Sequence, residues 1–170
     1  MAQEKLYQIL NHRYNAQLPT VVTTNQDLAD IDPRLRSRLL HVEFVEQVKI
    51  MAPDYRGMGV DQAQPELSSL QFHRDQTFDS FSLRADELPL EESENLKRAL
   101  TLAQHYAAEP RDWLVFTGAY GCGKTHLAAA VTNRCLAAGR PALFVVVPDL
   151  LDHLRAAYSP DAELGYDRLF

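Results

Sequence analysis

Gly118, four intervening residues and then Gly123-Lys124-Thr125 carry the spacing G-x-x-x-x-G-K-[ST]. Glycines let a backbone wrap closely around phosphate oxygens. Successive N–H groups then point inward, and the N-terminus of a following helix adds partial positive charge. The loop comprises Gly118, Ala119, Tyr120, Gly121, Cys122, Gly123, Lys124 and Thr125, with His126 directly after it. In such a loop Lys124 reaches the β- and γ-phosphates of a nucleoside triphosphate, and the Thr125 hydroxyl is offered to Mg²⁺. The expected chemistry is therefore binding of a nucleoside triphosphate with Mg²⁺. Tyr120 either stacks on a base or covers the phosphates. Cys122 fills a free position of the loop. His126 is expected on the helix surface or in packing rather than in catalysis.

A loop of this kind must be held between a strand and a helix. Trp113-Leu114-Val115-Phe116 predicts a buried strand before it, and Thr125 to Val131 a helix after it. Upstream, residues 1–56 form a first segment. Gln3 to Gln17 places Leu6, Ile9, Leu10 and Tyr14 on one helical face, and Leu18-Pro19 stops it. "TVVTTN", Thr20 to Asn25, is β-branched and predicts a strand. An arginine-rich helix follows, with Asp32 as N-cap ahead of Pro33, and Glu46 to Ile50 suggests another strand. Residues 57–69 hold Gly57, Gly59 and Pro65 without hydrophobic period and are expected to be a linker. Residues 70–170 form the second large segment. Glu91 to Glu109 predicts a helix with Leu96, Leu100, Ala103 and Ala107 inward. Ala142 to Val147 predicts a strand buried on both faces, as in a parallel sheet. Pro148-Asp149 then opens a helix running to about Tyr158, with Asp149 as its N-cap.

The chain has 170 residues, 46% of them hydrophobic, enough for one globular unit with its own core. No apolar run approaches membrane-spanning length, and the start "MAQEKLYQIL" does not read as a signal peptide. Cys122 and Cys135 alone make neither a metal cluster nor a disulfide framework, which suits a cytoplasmic location. The net charge of −6 argues against a broad, sequence-blind nucleic-acid surface while leaving room for a local basic patch. The six histidines fall at no metal-ligand spacing.

"DWLVFTGAYGCGKTHLAAAV", "PALFVVVPDLLDHLRAAY" and "YDRLF" resemble the first half of a DnaC/DnaI-type AAA+ ATPase, the helicase-loader family that includes IstB-type transposition helpers. "TFDSF", Thr77 to Phe81, resembles the segment before the ATPase core of that family. "QEKLYQILNHRYNAQLPTVVTTN" and "DPRLRSRLL" resemble the second half of the same domain. The fold implied is α/β, a P-loop NTPase with a parallel sheet flanked by helices. Here the halves stand in reversed order. The apolar strand with two acidic residues that holds Mg²⁺ in the family, the Walker B strand, has no counterpart in the sequence. Asp149 reads as a cap, and Asp27, Asp30 and Asp32 lie in a loop. A segment of a longer protein, a junction of tandem modules and a true permutation all fit this order. One unit whose two halves meet is expected, because each half alone leaves an apolar strand uncovered.

By the resemblance, Asn25 takes the polar position that senses the γ-phosphate, set against a plain turn-forming asparagine. Arg38 matches the arginine finger that reaches a neighbouring subunit's nucleotide, with Arg34 and Arg36 as alternatives and a solvated basic face as the contrary reading. Phe78 and Phe81 pack either near the adenine or simply in the core. The function implied is ATP hydrolysis that remodels a DNA-bound protein partner, a replicative helicase or a transposase. Single-stranded DNA and further copies of the chain are the other implied partners. Turnover is expected to be impaired in this chain alone. A nucleotide-responsive interaction module without catalysis is the alternative, and a small-molecule kinase the more distant one.

Overall fold

The computed structural model describes residues 2–52, Leu70 and 73–157. The linker 57–69 and the stretch "YDRLF" lie outside the described residues. In chain order the elements are helix α1 (Ala2–Asn15), strand β1 (Thr20–Thr24), a 3-10 turn (Leu28–Asp30), α2 (Pro33–Leu39) and β2 (Val45–Ile50). After the linker come α3 (Leu90–Ala108), β3 (Trp113–Gly118), α4 (Lys124–Ala137) and α5 (Val147–Ala157).

Local chemistry explains most of these boundaries. The Asp32 carboxylate accepts the Arg34 backbone N–H at 2.8 Å, and Pro33 supplies a preset φ at the first helical position, so α2 starts where the sequence requires. Asp27 caps the 3-10 turn in the same way, through the Ala29 N–H at 2.9 Å. Along α3 the buried positions are Leu96, Ala99, Ala103 and Ala107, one helical stripe of mostly small side chains that lets α4 approach closely. Arg140, just beyond α4, closes the far end of α3 by donating to the Ala107 and Ala108 carbonyls.

The three strands form one parallel sheet in the order β1-β3-β2. Thr20 lies opposite Trp113 and Thr24 opposite Thr117, while Val45 lies opposite Trp113 and Ile50 opposite Gly118. The strand from the second large segment therefore sits between two strands of the first. Its side chains alternate between two cores. Leu114 and Phe116 join Val48, Ile50, Leu96, Leu127 and Val131 on the face covered by α3 and α4. Trp113 and Val115 join Val45, Leu39, Leu10 and Tyr14 on the face covered by α1 and α2. Helices on both faces of a parallel sheet make a three-layer α/β arrangement, as a P-loop NTPase fold requires.

The strand expected over Ala142–Val147 does not form: residues 141–146 have no regular structure, and α5 begins at Val147. Asp149 consequently lies within the first turn of α5 rather than at its N-cap. Apolar composition supplies burial but does not fix pairing: β1 has no strand partner on its outer edge among the described residues, yet 141–146 does not pair there. Both edges of β3 are taken by β1 and β2. At β2 the outer edge is bonded to a side chain, with Asn95 donating to Lys49 O at 3.1 Å and accepting from Met51 N at 3.0 Å. The 141–146 run instead packs by single residues. Phe144 is buried against Ala129 and Leu70, whereas Leu143 is 60% exposed.

Candidate functional site

β3 ends at Gly118, and the loop crosses to Lys124 at the start of α4. Three glycines in it hold positive φ: Gly118 at 144°, Gly121 at 67° and Gly123 at 100°. At the first the requirement is strictest, since a Cβ would lie 2.2 Å from the Ile50 carbonyl oxygen of β2, a backbone atom. At Gly123 a Cβ would lie 2.8 Å from the Phe81 ring. The loop is thus tied to β2 on one side and to the 73–81 segment on the other.

The Lys124 side chain is only 5% exposed. Its ammonium turns into the loop and donates to Gly118 O at 3.1 Å and Ala119 O at 2.5 Å, with Cys122 Sγ at 3.6 Å. A cation is thereby held in the concavity of a glycine-rich turn at the positive end of a helix, where a phosphate would be met by both. Cys122 is buried in the main core cluster, and Tyr120 is 69% exposed at the loop tip. Thr125 and His126 occupy the first turn of α4.

Asn25 follows β1 directly. Thr24 pairs with Thr117, so Asn25 leaves the sheet level with Gly118, at the same carboxyl end of the strands. That is the end at which open α/β sheets bind ligands. Arg38 has a different setting. Its guanidinium donates to Arg34 O at 2.6 Å and Asn11 Oδ1 at 2.5 Å and lies near the Tyr7 and Tyr14 rings. Arg36 donates to Ala29 O, and Arg34 pairs with Glu4 and Asp32. The Arg34 side chain, hydrogen-bonded to Asp32, holds the Asp32 carboxyl below the usual aspartate range. Among the described residues no group of three His, Cys, Asp or Glu is placed to hold a metal ion.

The IstB-like ATP binding protein family matches residues 43–163, which is more than half of the chain. The chain belongs to this family. The IstB-like assignment agrees with the α/β sheet and makes the loop at Gly118–Thr125 part of an ATP-binding domain. Two relatives are replicative helicase loaders DnaC of Buchnera aphidicola, from subspecies Schizaphis graminum (strain Sg) and Acyrthosiphon pisum (strain APS). They are 30% and 28% identical over 81 residues, 46% of this chain. The match spans a third of the length of each relative. No solved structure matches at comparable stringency. No described helix of this IstB-like protein is long and apolar enough to cross a membrane.

Sequence reasoning missed the partners of the 73–81 segment. Phe78 and Phe81 pack against the main core, and Phe81 also faces Gly123. His126 bonds to the same segment, with Nε2 2.8 Å from Thr77 O and 3.3 Å from Ser80 Oγ. These contacts join residues 42 to 49 apart in sequence, which no local pattern reports. Asn95 at the β2 edge escaped notice for the same reason.

Proposed function

We propose that this chain is the nucleotide-binding part of an AAA+-type ATPase that hydrolyses ATP to remodel a DNA-bound protein, with little turnover by the chain alone. The observation that carries the reading is the buried Lys124 ammonium inside a loop whose glycines admit no side chain at Gly118. Loop N–H groups and Lys124 bind the β- and γ-phosphates and oppose the charge that develops on them. Thr125 would hold Mg²⁺ through its hydroxyl, and that ion would supply charge neutralisation at the phosphates. Asn25, level with Gly118, orients a water toward the γ-phosphate. Arg38 would act on the nucleotide of a neighbouring copy after giving up its bonds to Arg34 O and Asn11.

Likeness to replicative helicase loaders makes a replicative helicase the first candidate partner. A transposase is the second, with single-stranded DNA and self-assembly accompanying either. A cytoplasmic location suits all of them. The test measures ATP·Mg binding and hydrolysis by the chain, with Lys124→Ala as control. Binding that falls at least tenfold in Lys124→Ala, with slow or no turnover, is the expected result. Absence of binding by the unaltered chain would refute the reading. Robust Lys124-dependent turnover would show instead that a carboxylate of this chain holds the metal.

A second reading, a nucleotide-responsive interaction module without catalysis, is favoured by the internal engagement of Arg38. Equal affinity for ATP and ADP without turnover, in the presence of the partner, would select it.

A further inference from the structure

Residues 73–81 run along α4 from its third turn back to its first and are held there by two side chains on one face of that helix. Asn133 donates to His73 O at 3.1 Å and Gln76 O at 3.0 Å. Seven residues earlier, two helical turns along the same face, His126 Nε2 meets Thr77 O at 2.8 Å. A ring nitrogen facing a carbonyl oxygen must carry the hydrogen, so Nε2 is the donor. The acceptor is itself fixed. Ser80 Oγ accepts the Thr77 N–H at 2.9 Å and donates to Asp75 O at 2.6 Å, while Thr77 Oγ1 accepts the Ser80 N–H at 3.2 Å. The sequence "TFDSF" is thus a closed turn that presents the Thr77 carbonyl to the imidazole.

The same turn delivers Phe81 to the phosphate loop. Its ring lies edge-on to the His126 ring, centroids 5.2 Å apart and planes at 86°. It also fills the space where a Cβ of Gly123 would stand, 2.8 Å away. Gly123 is the left-handed residue immediately before Lys124. The peptide groups on either side of it are among those that must point at phosphate oxygens. His126 therefore touches two systems: its backbone belongs to the first turn of the loop helix, and its side chain holds the strap that wedges Gly123.

We propose that His126 is a positioning residue that couples the 73–81 strap to the phosphate loop, so that ordering either one orders the other. This rests on the nucleotide-binding reading above and specifies how that site is preorganised. Coupling is reciprocal. If the docked strap favours the binding-ready loop, nucleotide must in turn protect the strap from opening.

The experiment uses the whole chain with ATP·Mg as probe and two variants. His126→Leu removes the donor and keeps an apolar side chain against Phe81. His126→Gln returns an N–H donor at similar reach. Calorimetric titration gives the affinity, and amide hydrogen exchange over residues 74–81 reports strap opening with and without nucleotide. The expected result is an affinity loss of roughly five- to twentyfold in His126→Leu. Strap exchange should become faster and respond less to nucleotide, and His126→Gln should recover most of both. A merely structural role would lower thermal stability while leaving nucleotide protection of the strap intact. Wild-type affinity in a folded His126→Leu, or strap exchange indifferent to ATP in the unaltered chain, would overturn the coupling alone. No binding of ATP by the unaltered chain would overturn the nucleotide-binding reading and the coupling together.

Discussion

Gly118, Gly123 and Gly139 all hold positive φ, at 144°, 100° and 72°, but meet very different surroundings, and alanine at each weighs backbone strain against collision. Gly139, in the turn after α4, has φ +72° and nothing within 4 Å of a built Cβ. Gly139→Ala should cost only the left-handed conformation, about 1 kcal/mol. Gly123→Ala adds a contact of 2.8 Å with the far end of the Phe81 side chain, which can turn aside. Gly118→Ala places its Cβ 2.2 Å from Ile50 O and 3.2 Å from Ile50 C, both backbone atoms of the paired strand. Relief there means pulling the end of β2 off β3. Strain of about 1–3 kcal/mol for the conformation and a similar overpacking cost give about 2–6 kcal/mol for Gly118→Ala. That is a large share of the stability of a chain of this size. Urea unfolding followed by far-UV circular dichroism and by the fluorescence of Trp113, the one tryptophan, buried on β3, measures all three. The losses should rank Gly118 above Gly123 above Gly139 with an unchanged denaturant slope. A Gly118→Ala protein that loses no more than Gly139→Ala would show that the loop does not pass over Ile50 as described.

Two predictions concern pH. Asp32 titrates below the usual aspartate range because Arg34 bonds to it, so its contribution to stability is whole above about pH 4 and disappears as pH falls through the lowered folded value. Asp32→Asn should flatten that part of the acid limb in urea midpoints taken from pH 7 to 2.5, and parallel curves would contradict it. The Tyr106 hydroxyl is pushed well up by burial and by nearby Cys135, and it donates to Asp112 O at 3.2 Å. Its contribution is therefore whole below about pH 10 and falls as pH rises toward the folded value. Tyr106→Phe should be less sensitive to alkali than the unaltered chain, and an identical alkaline limb in both would refute the assignment.

What could be read from sequence was what neighbours along the chain decide. The glycine-rich turn between β3 and α4, the apolar run of β3 and the Asp32-Pro33 start of α2 depend on residues within a few positions, and all lie where the patterns put them. The run Ala142–Val147 misled because β-branched and apolar composition predicts burial and does not fix pairing. The Phe81–Gly123 wedge and the His126–Thr77 bond were hidden because each joins residues more than forty positions apart. The direction of Arg38 was hidden too, since its acceptor Asn11 lies on a different helix.

The site itself is built from both large segments. β3 comes from the later one, yet each of its edges is covered by a strand from residues 20–50. The earlier segment supplies Ile50, whose carbonyl oxygen forbids a side chain at Gly118 and so fixes where the loop leaves the sheet. It also supplies Asn25, level with that departure point. Without residues 20–50, β3 would expose two rows of backbone N–H and C=O groups, and Trp113 and Val115 would lose the face that covers them. The loop that leads to Lys124 would then leave a strand with no fixed neighbours. The loop's sequence specifies its chemistry, but its shape is imposed by a strand that stands about seventy residues earlier in the chain.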